Sequence, residues 1–450
     1  MSSSYLHRTN SSGSGTTATV SMWVKQNQVV SDGGLAQFLT DTNNFIGLYS
    51  NPTVKFRTNI SGSTAQGDKA TLIKNRDPAA WYHYVFVFDT TNGTPGDRMR
   101  LWINGVRVTD AQLDTDIDPS SSYSFTPLVS GQFQLNRYNV NTTYSDHEYS
   151  HLHYTDGYAY DASTFGEFDA TSGIWKIKTG PSVTYGTNGF FLKFEDRTNL
   201  DLDSGTNTFT DFTTVGTITA TYDNPSNNFA TLNPLDNYYP ASTFSYGNNR
   251  IATSSSPYSW NMSTLGVSAG KWYFEAYVQS AASTSEQIFG ISPGSPIQNN
   301  KDVGGVLNGY GYYGSGSVRS NGSAVITGMP TYTTGDYVGC AFDLDTNKIY
   351  FHDNGTYINS GDPSAGTGGY AIVAADSQTF SNKSNAYFPS AGDYDSSGAA
   401  TWDVNFGNGY FGTTLIGSPD ADDGGVGAFK YTVPTGFRAL CTKNIKAYGG

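Results

Sequence analysis

Short runs in which apolar and polar residues alternate, each closed by a cluster of turn formers, recur along this chain and predict strands with one face on a core. "TTATVSMWVKQ" alternates from Thr17 and "WYHYVFVFDTT" from Trp81. "RMRLWINGVRV", Arg98 to Val108, centres on Asn104-Gly105; "KIYFHDNGTYI", about 250 residues later, centres on Asn354-Gly355. Asn-Gly between two such runs predicts a two-residue type I′ hairpin, because both central residues need positive φ. In the first hairpin Met99, Leu101, Ile103, Val106 and Val108 then share one face, opposite Arg100, Trp102 and Arg107. In the second, Ile349, Phe351 and Ile358 lie opposite Tyr350, His352 and Tyr357. Both hairpins are expected to be half-buried, with one face toward solvent.

Further strands follow in "SHLHYTDGYAYDASTFGEFD" and "NGFFLKFED", and a second set begins near Tyr246. Its clearest member, "GKWYFEAYV", sets Trp272, Phe274, Ala276 and Val278 against Lys271, Tyr273, Glu275 and Tyr277. Between the sets, "DNPSNNFATLNPLDNYYP" carries three prolines and no periodicity, which marks a join. The pattern predicts an all-β chain of two tandem antiparallel β-sandwich (jelly-roll) domains, 1–200 and 241–446, with a connection over 201–240.

Composition agrees. Only 14% of residues are charged and five are Glu, too few for long surface helices, while 32 Tyr, 26 Phe and 7 Trp argue against disorder. A net charge of −13 lacks the basic face that nucleic acid requires. No run approaches 18 apolar residues and the opening "MSSSYLHRT" has no apolar signal core, so no membrane insertion is expected. Cys340 and Cys441 form no disulfide framework, and Cys340 reads as a buried free thiol.

Two resemblances rest on specific segments. The first half resembles a laminin-G/concanavalin-like jelly roll through "TVSMWVK", "WYHYVFVFD", "LWINGVRV" and "HYTDGYAYDASTFGEFD". The second resembles a SPRY domain through "GVSAGKWYFEAYV", "FGIS", "TTGDYVGCAFDLDTNKIYFHDNG", "WDVNFG" and "PTGFRAL". "SSSYLHRT", "GIWKIKTG", "YGTNGFFLKFED" and "NPSNNFATLNPLD" resemble tandem proteins of marine tailed bacteriophages, which implies a virion component.

Motifs for chemistry are weak. Gly309-Tyr-Gly311-Tyr-Tyr-Gly314 matches a dinucleotide fingerprint, but "SGSVRSNGS" after it cannot be the required helix. Gly266-Val-Ser268-Ala-Gly270 matches a nucleophile elbow, but feeds a strand, so Ser268 is a turn residue. Laminarinase-type glucanases share the jelly roll and need a carboxylate pair on one strand; Glu167-Phe-Asp169 comes nearest, and its third position is Thr171. No catalytic residue is assigned. His147, His151 and His153 cluster, with packing the favoured reading over a two-His metal edge. Asp114, Asp116 and Asp118 offer a candidate calcium loop, since laminin-G-like domains often bind calcium, against the plainer reading of a solvated acidic loop. Tyr310, Tyr312 and Tyr313 read as a loop triple that would stack on a sugar or protein.

The resulting expectation is a non-enzymatic virion surface protein, a tail fibre or receptor-binding component, whose loops bind a host glycan or protein. It would sit on the particle surface, free after host lysis, beside other virion proteins in a symmetric homo-oligomer such as a trimer. The competing readings are a purely structural capsid or tail decoration protein and a glycan hydrolase.

Overall fold

A computed structural model describes the chain except residues 1–3, 28–32, 42–43, 52, 60–65, 139–142, 206–211, 238–239, 256–257, 284, 295–299, 379–383, 395–397 and 450. It divides into two compact units, Met1–Ala220 and Thr221–Gly450. Each is an antiparallel β-sandwich, as the alternation predicts.

In the first unit an eight-stranded sheet runs, in spatial order, Leu113–Ile117, Gly67–Lys74, Thr53–Asn59, Asn44–Asn51, Gly33–Asp41, Gln132–Leu135, Tyr5–Thr9 and Thr213–Val215. A six-stranded sheet, Phe190–Leu192, His147–Asp156, Thr17–Gln26, Trp81–Asp89, Met99–Ile103 and Val106–Arg107, packs on it. Their inner faces enclose a core that includes Phe38, Phe56, Phe86, Phe133 and Tyr154.

The Asn104-Gly105 hairpin forms in the expected register, Ile103 opposite Val106, with φ of 48° and 79° at the turn. Its second face differs from expectation. Trp102 is 8% exposed and joins Val85, Val87, Ala162 and Phe165 in a satellite cluster under the segment after the strand His147–Asp156. Trp175, from a short hairpin pairing Gly166–Phe168 with Trp175–Ile177, packs against that cluster and lies over the turn itself. A side chain at Gly105 would run into the Trp175 ring, and the φ disfavours one in any case. Gly105→Ala is therefore expected to destabilise the first unit by about 2 kcal/mol, read as a lowered thermal midpoint.

In the second unit one sheet runs Thr243–Ser245, Arg250–Ala252, Thr401–Asn405, Lys271–Ser280, Tyr337–Asp343, Lys348–Asp353 and Thr356–Tyr357. The facing sheet runs Ser259–Met262, Tyr387–Asp393, Gln287–Pro293, Tyr310–Tyr313, Ser317–Ser320 and Ser323–Ile326. Trp272, Phe274, Phe289, Trp402 and Cys340 fill the space between them. The Asn354-Gly355 turn again has two positive φ values, 47° and 85°. Its outer face is also covered: Tyr350 and His352 are each 1% exposed, beneath a third layer made by residues 420–441. Val426, Phe429, Val433 and Phe437 of that layer pack on Tyr273, Ala341 and Tyr350.

Residues 201–240 are shared between the units. Thr213–Val215 pairs with Tyr5–His7 in the first, while Phe229, Ala230 and Leu232 are buried in the second.

Candidate functional site

The tyrosine triple is not in a loop. Tyr310–Tyr313 is a strand paired on both sides, and Tyr310, Tyr312 and Tyr313 are 3%, 0% and 1% exposed. Their hydroxyls are used internally: Tyr312 donates to the Pro330 carbonyl at 2.6 Å, Tyr313 to Asp302, and Tyr310 accepts the Val373 N–H at 3.0 Å. The glycines that suggest a loop allow close packing instead, since a Cβ at Gly311 would press on Ile288 and the Gly304 backbone. These three residues are core, and the same strand placement removes the dinucleotide fingerprint.

The acidic candidates also have another role. Asp116 ends up on the edge strand Leu113–Ile117, with Asp118 just beyond, and both grip the Lys69 ammonium, Asp118 at 2.7 Å. Burial opposes the charge on Lys69, but the two carboxylates outweigh it and raise its pKa. Asp114 is exposed, at a shift in strand register. The cation that Asp116 and Asp118 meet is the Lys69 ammonium. Among the described residues no cluster of three or more His, Cys, Asp or Glu is placed to hold a metal.

The histidines pack. The strand His147–Asp156 bulges at His151, which has a φ of 47°. His153 stacks on Phe191 at 3.8 Å and meets the Tyr185 hydroxyl at 2.9 Å, and burial pushes its pKa well down. Glu167 and Asp169 both pair with Lys176, at 3.2 and 3.6 Å, on an exposed hairpin. Ser268 is an exposed turn residue before the strand Lys271–Ser280, as expected.

A buried polar network in the second unit went unread. Glu275 is 0% exposed and accepts four hydrogen bonds: from Lys430 N–H (2.6 Å), Tyr431 N–H (3.3 Å), the Asn405 amide (3.0 Å) and the Tyr273 hydroxyl (3.0 Å). The Gly355 N–H donates to His352 Nδ1, so Nε2 carries the ring proton and donates to Tyr273 Oη at 2.8 Å. Burial raises the Glu275 pKa to about 7, against these four donors, and lowers that of His352 to about 3. The network ties the third layer to the sheet. It is closed to ligands.

A groove of about 700 Å³ opens in the second unit, walled partly by that same layer. Tyr222 and Phe229 line one part, Asn224, Ser226 and Asn227 a rim, and Gly425, Val426 and Gly427 the opposite wall. Thr442, Lys443 and Lys446, from the helix Thr442–Tyr448, complete it. Each wall is fixed by backbone bonding. Asn224 and Asn227 pair in a tight turn, Thr442 exchanges two bonds with the Asn228 backbone, and Tyr222 N–H reaches the Asn408 carbonyl. Asp422, 5% exposed, accepts from Gly424 N–H, Val426 N–H, Ala439 N–H and the Asn444 amide at 2.7–2.9 Å, which fixes the Gly-Val-Gly wall.

Sequence reasoning missed this groove because its lining joins residues 222–229, inside the proposed connection, to two segments about 200 residues further on, 425–427 and 442–446. None has a period or a motif. The only local signal is an aromatic pair, Tyr222 and Phe229, set in a run of Asn and Ser.

Comparison with known proteins supports both halves. Residues 1–143 match the model of the concanavalin A-like lectin/glucanases superfamily, and residues 271–380 match that of the SPRY domain. The chain thus carries a laminin-G/concanavalin-like domain and a SPRY domain. A stretch of 91 residues, 20% of this chain, is 29% identical to the E3 ubiquitin-protein ligase RKP of Arabidopsis thaliana and covers 7% of that protein. Similar solved structures include the SPRY domain of human HERC1 (16% identity, 38% of this chain and 96% of that one, TM-score 0.29). A heptameric SAP-like pentraxin from Limulus polyphemus also matches (15%, 42% and 88%, TM-score 0.28).

Proposed function

We propose that this protein is a non-enzymatic binding component of a virion surface and that its second unit takes a ligand in the groove beside Tyr222. The observation that carries the reading is the groove itself: it combines aromatic and apolar lining with convergent amides, hydroxyls and ammonium groups, the mixture by which binding sites fix a ligand. The side chains that suggested chemistry are engaged elsewhere: Tyr310, Tyr312 and Tyr313 in the core, Asp116 and Asp118 on Lys69, and Glu167 and Asp169 on Lys176. The two domain matches, one lectin-like and one SPRY, support binding as the mode of action. The virion placement rests on the resemblance of the chain's opening and middle segments to tailed-phage proteins.

The test is a glycan and virion-protein array probed with the full chain, in calcium and in chelator, beside Ser226→Trp, which fills the groove from an exposed rim position. Saturable binding that survives chelation and is lost in Ser226→Trp is expected, with no reducing ends released from any polysaccharide. Release of reducing ends, or binding that ignores Ser226→Trp, overturns the reading.

A further inference from the structure

The groove also points to the charge of its ligand, an inference that rests on the binding reading above. The chain carries 38 acidic residues against 25 basic ones, yet the lining contains two lysines and no carboxylate. Lys443 and Lys446 lie three residues apart on one helix, both exposed. Among the described residues neither ammonium meets a carboxylate within 4 Å, unlike those of Lys69, Lys176, Lys193 and Lys271, and neither is shown reaching a backbone carbonyl as Lys178 and Lys348 do. Asp223, Asp422 and Asp423 neighbour lining residues in sequence without entering the lining. Asp422 is occupied by its four donors, and Asp423 lies 3.4 Å from Arg438. The charged groups that line the groove are thus the two ammonium groups, and ammonium groups attract and hold anions.

The remaining lining decides the kind of anion. Asn224 and Asn227 spend their amides on the Tyr222 carbonyl and on the Ser226 and Lys443 N–H groups, while the hydroxyls of Ser226 and Thr442, which can donate and accept as sugar hydroxyls do, keep capacity for a ligand. Tyr222, half-buried, adds aromatic surface, while Phe229 is buried at 1% exposure. An extended peptide captures backbone bonds by adding a strand to a sheet edge. The walls here are a turn, a glycine loop and a helix, so they offer no such edge. We infer that the groove binds an acidic saccharide, with its carboxylate or sulfate at Lys443 and Lys446 and its ring beside Tyr222.

The experiment measures binding of the full chain to oligogalacturonate, hyaluronan and heparin fragments, to carboxyl-esterified or desulfated forms of each, and to a poly-glutamate peptide. The expected result is that at least one acidic saccharide binds about tenfold or more tightly than its neutralised form. Its affinity should fall between 0.05 and 0.5 M salt, about the range over which screening removes such attraction. Lys443→Glu/Lys446→Glu should abolish the preference with the thermal midpoint unchanged, and Ser226→Trp should abolish binding. Acidic and neutralised forms binding equally, still blocked by Ser226→Trp, overturn the anionic inference and leave the groove reading standing. Lysine-dependent binding of poly-glutamate without any saccharide overturns the saccharide assignment. Binding that ignores Ser226→Trp removes the groove reading itself, and no acidic saccharide binding at all overturns the inference.

Discussion

Glu275→Ala is expected to destabilise the second unit by about 4 kcal/mol, lowering its denaturant midpoint while the first unit melts as before. The substitution leaves Lys430 N–H, Tyr431 N–H, the Asn405 amide and the Tyr273 hydroxyl without their acceptor in a site that is 0% exposed. Buried donors stripped of partners each cost about 1–3 kcal/mol, and relaxation of residues 428–431 recovers part of the sum. The same carboxyl sets a pH dependence. Its pKa is raised from 4.5 to about 7 by burial, so the folded state holds a proton where the unfolded chain has lost it. That contribution is whole below about pH 4.5, shrinks as pH rises, and is gone above about 7, roughly 3 kcal/mol in all. In the folded state the groups facing Glu275 do not titrate in that window, since His352 is pushed down to about 3 and Tyr273, Tyr357 and Tyr431 are pushed up; His352 of the unfolded chain does titrate there, with the opposite sign, and is common to wild type and Glu275→Gln. Unfolding curves at pH 4.5, 6 and 7.5 should show the decline in the wild-type chain relative to Glu275→Gln, which has no proton to lose. A difference between the two proteins that is flat with pH contradicts this assignment.

Asp422→Ala is expected to abolish ligand binding at the groove and to cost about 3 kcal/mol of stability. The carboxylate organises the wall directly, since Gly424 and Val426 N–H both point at Oδ1. Its other oxygen ties that wall to Ala439 and to Asn444 of the helix bearing Lys443 and Lys446. Removing it strips the acceptor from the buried Val426 and Ala439 N–H groups and from the part-buried Gly424 N–H, leaves the Asn444 amide only the Ala439 carbonyl, and frees two sides of the groove together. Asp422→Asn keeps one acceptor oxygen and should keep measurable but weaker binding. Calorimetric titration of both variants checks the order; undiminished binding by Asp422→Ala would separate the ligand from this wall.

What was legible in the chain is what is local. Asn104-Gly105 and Asn354-Gly355 announce their hairpins because few residues other than glycine and asparagine tolerate positive φ. The strands Thr17–Gln26, Trp81–Asp89 and Lys271–Ser280 lie where alternation places them. Alternation separates the two faces of a strand but does not tell which of them meets water. Tyr273, Glu275, Tyr350 and His352 read as solvent-facing because they are polar or amphipathic, and all four are buried under residues 420–441. That covering layer is rich in Gly and Asp and has no period, so nothing in its sequence announces a layer. The tyrosine triple failed for the converse reason. Gly309, Gly311 and Gly314 mimic loop composition while serving close packing around a central strand. The groove was invisible because distance in sequence hides convergence in space: Tyr222, Val426 and Lys443 meet only once the sandwich and its third layer have formed.

The central claim is that the second unit binds through this groove, and hydrogen–deuterium exchange of the full chain, with and without a ligand found on the array, tests it most directly. The account predicts slowed exchange in the peptides covering residues 222–229, 424–428 and 442–446, with the first unit unchanged. Slowed exchange confined to loops of the first unit, with those three peptides unaffected, would contradict it.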